Sequence, residues 1–80
     1  MNYKTISIII PVYNEEKYIV STLDRVIKSD TLGLRKEIII IDDASTDNTV
    51  NTLRHYTARL KANGKRYTIR VILKKKNIVS

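Results

Sequence analysis

Residues 37–49 constrain this chain most. Glu37-Ile38-Ile39-Ile40-Ile41-Asp42-Asp43-Ala44-Ser45-Thr46-Asp47-Asn48-Thr49 sends four isoleucines into two adjacent aspartates and then into a turn of small polar residues. An uninterrupted β-branched run this short reads as a strand buried on both faces, the habit of parallel sheets. Asp42 and Asp43 then stand at the carboxyl end of that strand, the edge at which open α/β sheets bind ligands. A second strand, Thr5 to Ile10, runs into Pro11-Val12-Tyr13-Asn14-Glu15-Glu16, so two polar tips are expected on one crest.

Taken in order, Thr5-Ile6-Ser7-Ile8-Ile9-Ile10 is the first strand, and Pro11, which cannot donate to a ladder, marks its end. Asn14 is expected to cap a helix, with Glu15 and Glu16 at the positive end of its dipole. That helix runs from about Glu16 to Lys28, with Ile19, Leu23, Val26 and Ile27 on one buried stripe and Asp24, Arg25 and Lys28 off it. Gly33 gives the exit a permissive backbone. Strand two covers Glu37 to Ile41. Thr46 or Ser45 caps the second helix, and Asp47 lies in its first turn. Val50, Leu53, Tyr56 or Thr57, and Leu60 form its inward face, His55 is offset to the surface, and Asn63-Gly64 stops it. Tyr67, Ile69, Val71 and Leu73 alternate with Thr68 and Arg70, the period of a third strand, and Lys74-Lys75-Lys76-Asn77 follows.

The pattern is β-α-β-α-β, and crossovers of one helix each dictate parallel strands with right-handed connections. The expected fold is α/β with strand order 3-2-1, half of a three-layer, doubly wound nucleotide-binding sheet. In that order strand one is an edge although Ile8, Ile9 and Ile10 make it apolar on both faces, and such an edge invites another strand. The chain therefore reads as a fragment, a truncated gene product, or a protein that self-associates through strand one.

Eighty residues allow one small domain, which buries about 60–65% of its unfolded surface. Without cysteine there is no disulfide and no thiolate metal site. No apolar run approaches the ~20 residues of a membrane span, and Met1-Asn2-Tyr3-Lys4 leads into a strand rather than a signal peptide, so cytoplasmic residence is the expectation. The net charge of +7 is uneven, because every acid lies at or before Asp47 and nine lysines and arginines follow it. Such a half attracts nucleic acid, an anionic membrane or a phosphorylated ligand, or is a solvated face whose acidic partners lie elsewhere. With only Tyr56 and Tyr67 as aromatics there, base stacking has little support.

The crest lacks both Gly-x-Gly-x-x-Gly and a Gly-Lys-Ser/Thr loop, so neither usual phosphate cradle is present. It offers Tyr13, Asn14, Glu15, Asp42 and Asp43 instead. An aromatic ring stacks on a base or sugar, and carboxylates accept from ribose hydroxyls or a base N–H while repelling phosphate. The crest thus suits the nucleoside end of a nucleotide.

Ser7 through Glu16 resembles the opening strand and Pro-x-Tyr-Asn-Glu turn of family 2 glycosyltransferases, and Glu37 through Thr49, with its Asp-Asp-x-Ser-x-Asp-x-Thr core, is similar to that family's second motif. The resemblance covers almost the whole chain but only the first third or so of such an enzyme, and the variant resembles the branch containing polyprenyl-phosphate mannosyl- and glucosyltransferases, with motifs that other branches share. It implies a GT-A fold and a hexose transferred from a GDP- or UDP-sugar to an acceptor such as a polyprenyl phosphate, at the cytoplasmic membrane face. Carried over by position, Pro11 and Tyr13 line the base pocket, Glu15 contacts base or ribose, Asp43 accepts from the base N–H, and Asp42 orders the turn by bonding backbone amides. Lys74 to Lys76 are either a solvated strand end or a meeting point for phosphate.

The departures are as informative. The family's metal-binding Asp-x-Asp and its general base lie further along than this sequence runs, so no cofactor is expected in this chain, and Mg or Mn only in a full-length relative. After Asn77, Val79 stands where the family carries glycine. Three rivals remain on the sequence. A receiver-type signalling domain needs an acceptor aspartate after strand three, where Leu73-Lys74-Lys75-Lys76 stands instead. A small basic binding module and a non-functional gene remnant are the others.

Overall fold

The computed structural model describes residues 4–29, 31–61 and 67–75. Five elements follow in the expected order: β1 (Thr5–Val12), α1 (Ile19–Lys28), β2 (Arg35–Asp43), α2 (Thr49–Lys61) and β3 (Tyr67–Lys74). The strands form one parallel sheet in the order β1-β2-β3, as the crossover lengths require. Both β1 and β2 run further than the sequence pattern indicated. Pairing of Thr5 with Arg35 opens the ladder early, and pairing of Val12 with Asp42 carries it past Pro11, which an edge strand tolerates. The helix stop at Asn63-Gly64 and the departure at Asn77–Val79 lie outside the described residues.

The alternation of β2 decides where the core sits. Lys36, Ile38, Ile40 and Asp42 are buried, whereas Arg35 and Asp43 are exposed and Glu37, Ile39 and Ile41 are half-buried. Ile19 and Leu23 of α1 and Leu53 and Tyr56 of α2 cluster with Val12, Ile38 and Ile40, with Val26, Ile27, Leu60, Ile69 and Val71 packed around them. Burying each such side chain contributes about 1.5–3 kcal/mol. Both helices therefore lie on one sheet face, the two-layer half of the expected three-layer sandwich. Burial of β2 on both faces is not met among the described residues. The opposite face presents Ile9, 61% exposed, along with Ile39, Ile41 and Ile72.

Two local features position the layers. Lys36 points from β2 under α1 and donates from Nζ to the carbonyls of Val26 (3.0 Å) and Ile27 (2.5 Å) in its last turn, the first of which also accepts the Ser29 amide (3.3 Å) and hydroxyl (2.6 Å). The exit turn closes with the Leu34 amide on the Thr31 carbonyl (3.0 Å), and Leu32 (φ 55) and Gly33 (φ 82) both adopt positive φ. Glycine does so without the Cβ clash that makes this region costly for other residues, as the sequence indicated.

The Tyr56 hydroxyl joins the helices by donating to Asp24 Oδ1. Burial, and then this bond, push the Tyr56 hydroxyl well above the ordinary tyrosine range, and burial raises Tyr67 too. The folded state thus keeps a proton that the unfolded chain releases near pH 10. This stability is present in full below pH ~10 and is lost as pH rises beyond it. Urea midpoints at neutral pH and at about pH 11 should fall further for the wild type than for Tyr56→Phe. An equal fall in both would remove Tyr56 from the account.

Candidate functional site

The crest is built where the three strands end at one level. Val12 pairs with Asp42, so Tyr13 follows at the height of Asp43, and Asp43 pairs with Lys74. Alternation along β2 turns the adjacent aspartates in opposite senses. Asp42 points toward the helices and is 1% exposed, whereas Asp43 points away.

Asp42 closes the turn after β2. One oxygen accepts the Ser45 amide (2.9 Å) and the other accepts the Ser45 hydroxyl. The same hydroxyl oxygen accepts the Asn14 amide (2.9 Å). A second relay of the same kind lies beside it. The Glu15 amide donates to Thr49 Oγ1 (2.9 Å), and that hydroxyl donates to Asp47 Oδ1, which also accepts the Thr49 amide (2.9 Å). These bonds, with the Thr49 hydroxyl first, hold the Asp47 carboxyl below the ordinary aspartate range.

Asn14 and Glu16 complete the join. Asn14 Oδ1 accepts the amides of Thr46 (2.7 Å) and Asp47 (3.3 Å), and its Nδ2 donates to Thr46 Oγ1 (3.1 Å). Glu16 Oε1 accepts the Asn48 amide (3.2 Å). Here the structure corrects the sequence reading. Asn14 does not cap α1, which starts at Ile19 behind Tyr18, a residue with no side-chain cap bond. Asn14 and Glu16 satisfy free amides ahead of α2 instead, the positive end of the neighbouring helix. The turn residues Asn14 (φ 48) and Ala44 (φ 59) both adopt left-handed backbone to bring the two loops together.

What remains open to solvent is a short arc. Pro11 and Glu15 are exposed, and the Tyr13 ring is 54% exposed. Among the described residues Asp43 is held by Lys74, with Nζ 3.6 Å from Oδ1 and both side chains more than half exposed (58% and 67%). An ion pair that open is worth at most about 1 kcal/mol and yields easily to a better partner. The arc therefore offers a ring face, the Glu15 carboxylate, and the Asp43 carboxylate loosely paired with the Lys74 ammonium. Among the described residues no group of three His, Asp or Glu side chains is placed to hold a metal ion. No described helix is long and apolar enough to cross a membrane.

The sequence reading did not single out Ser45, Thr49 and Lys74 for these roles. A signal existed for the first two, since Ser45 follows an acid by three residues and Thr49 follows one by two, the spacings of local side-chain turns.

Comparison with known proteins identifies the family. The family model for glycosyl transferase family 2 matches residues 7–78. The chain belongs to glycosyl transferase family 2. It is similar to the poly(ribitol-phosphate) beta-N-acetylglucosaminyltransferase TarS of Staphylococcus aureus, with 39% identity over 54 residues that cover 68% of this chain and 9% of that protein. It is also similar to the undecaprenyl-phosphate 4-deoxy-4-formamido-L-arabinose transferase of Shewanella sediminis, at 42% over 53 residues, 65% of this chain and 16% of the relative. A third is a dolichyl N-acetyl-alpha-D-glucosaminyl phosphate 3-beta-D-2,3-diacetamido-2,3-dideoxy-beta-D-glucuronosyltransferase of Methanococcus voltae, at 44% over 54 residues, 68% and 16%. The matched region is thus under a fifth of the length of each of these relatives. No solved structure matches the chain.

Proposed function

We propose that this chain is the nucleoside-binding part of a family 2 glycosyltransferase domain that uses a GDP- or UDP-hexose, with a polyprenyl phosphate as the acceptor. The observation that carries the reading is the open arc of Tyr13, Glu15 and Asp43 on a crest whose other polar groups are already bonded to one another. Tyr13, with Pro11 beside it, stacks on the base. Asp43 turns from Lys74 to accept a base N–H, and Glu15 accepts from base or ribose. Asp42 is a positioning residue, because its oxygens are spent on Ser45 and it acts through the loop that carries Tyr13 and Glu15. The acceptor class rests on the relatives whose names carry undecaprenyl-phosphate. Leaving-group stabilisation and activation of the acceptor fall to residues beyond this set, so the chain by itself binds donor without turning it over.

Amide proton–nitrogen NMR of the chain, titrated with GDP and then UDP, tests this. Shifts confined to Tyr13–Glu15 and Asp42–Ala44 are expected, and the tighter nucleotide names the donor base. Asp43→Ala should weaken binding roughly 10- to 100-fold, the worth of one hydrogen bond to a charged group. A folded spectrum indifferent to both nucleotides would remove the binding assignment and leave the family and fold intact.

A further inference from the structure

The nucleotide reading leaves most of the positive charge unused. The helical layer carries Lys17, Arg25 and Lys28 from the α1 side and Arg54 and Arg59 from the two flanks of α2, all exposed. Asp24 is the one acid within the two described helices, and it is engaged by Tyr56. Of the other described acids, Glu15, Glu16, Asp42, Asp43 and Asp47 lie at the crest and Glu37 on the sheet, while Asp30, just after α1, is outside the described residues. Among the described residues the helical layer thus carries five exposed bases against one engaged acid. Tyr18, also exposed, lies at its crest end.

We infer that this helical face docks on an anionic lipid bilayer. Each lysine or arginine at such a surface is drawn to it by the negative headgroup potential, and five act together here. Tyrosine is a residue that settles at headgroup depth, ring inward and hydroxyl outward. Crossover helices lie along the strands, so a bilayer beneath α1 and α2 runs parallel to the sheet. The crest then opens sideways, one helical layer above the headgroups, and the bare sheet face looks into solution. A bilayer rather than a polynucleotide fits because, among the described residues of the two helices and their flanks, Tyr18 is the one exposed aromatic, which gives bases little to stack on. The choice also leans on the lipid-phosphate acceptor in the reading above.

The test needs no nucleotide, so its failure and that of the nucleotide reading are separable. The chain is sedimented with vesicles of phosphatidylcholine alone and of a one-to-one mixture with phosphatidylglycerol, across a salt series. Binding is expected to the mixture only and to fall as salt rises. The triple variant Arg25→Glu/Lys28→Glu/Arg59→Glu should lose roughly a hundredfold or more in partitioning. Arg35→Glu/Arg70→Glu/Lys75→Glu changes net charge equally on exposed residues of the sheet and its end, and should lose far less. Circular dichroism of both variants confirms that the surface changes leave the fold intact. Equal losses in the two variants, or equal binding to neutral vesicles, would overturn the docking face. Tighter binding to duplex DNA than to anionic vesicles, lost in the helical variant, would overturn it in favour of a polynucleotide.

Discussion

Asp42→Ala will lower stability by about 3 kcal/mol, and Asp42→Asn will recover only part of that loss. The carboxylate is 1% exposed and accepts on both oxygens, from the Ser45 amide and the Ser45 hydroxyl, which in turn receives the Asn14 amide. Hydrogen bonds to a charged group contribute about 1.5–3 kcal/mol, and removing the acceptor leaves desolvated donors behind. Alanine strands the Ser45 amide and hydroxyl together. Asparagine has one acceptor and one donor where two acceptors are needed. Turned either way, its NH2 faces the Ser45 amide or displaces the proton of the Ser45 hydroxyl. Thermal melts of the two variants read this directly. In the NMR spectrum the loss should appear first at Asn14 and Ser45, on two different loops. If Asp42→Asn melts with the wild type, the relay does not hold the loops, and Asp42 owes its burial to something else.

Leu53→Ala will leave the chain without cooperative unfolding. Leu53 is 0% exposed and packs with Leu23, Ile38 and Ile40 in the cluster between the helices and the sheet. Truncating a buried leucine to alanine costs about 2–5 kcal/mol, transfer and cavity together. A chain of 80 residues has roughly 4–12 kcal/mol in all at ordinary stability per residue. With the opposite sheet face bare, this chain sits toward the low end of that range. Leu53→Met, close in volume, should cost under ~1.5 kcal/mol and stay folded. Ile9→Ala, on the bare face and 61% exposed, should move the urea midpoint little. A cooperative melt for Leu53→Ala within a few degrees of wild type would mean that the core is not concentrated between helices and sheet.

The register of the crest also explains why two adjacent aspartates do different work. Strand side chains alternate in direction, so only one of Asp42 and Asp43 faces the helices. The covered one becomes a fastener within the loop, and the other is left with an exposed lysine at 3.6 Å. Both were candidate ligand contacts in the sequence, and period two alone does not say which face the helices cover.

Much of the architecture was nevertheless readable in the residues. Strand runs, the stripes of Ile19 and Leu23 and of Leu53 and Tyr56, the permissive turn at Gly33 and the exposure of His55 all follow from periodicity over a few residues. Parallel order β1-β2-β3 follows from crossover length and handedness, which are chain-local as well. What only the tertiary structure decided is where polar side chains spend their hydrogen bonds. Asn14 and Glu16 read as the start of α1 and serve the amides ahead of α2, and Lys36, which the sequence pattern does not single out, fastens the carboxyl end of α1. A cap is recognised in sequence by its nearest helix. In the folded chain a donor or acceptor bonds whichever unpaired backbone group is brought within 3 Å or so, and packing, not sequence distance, selects that group.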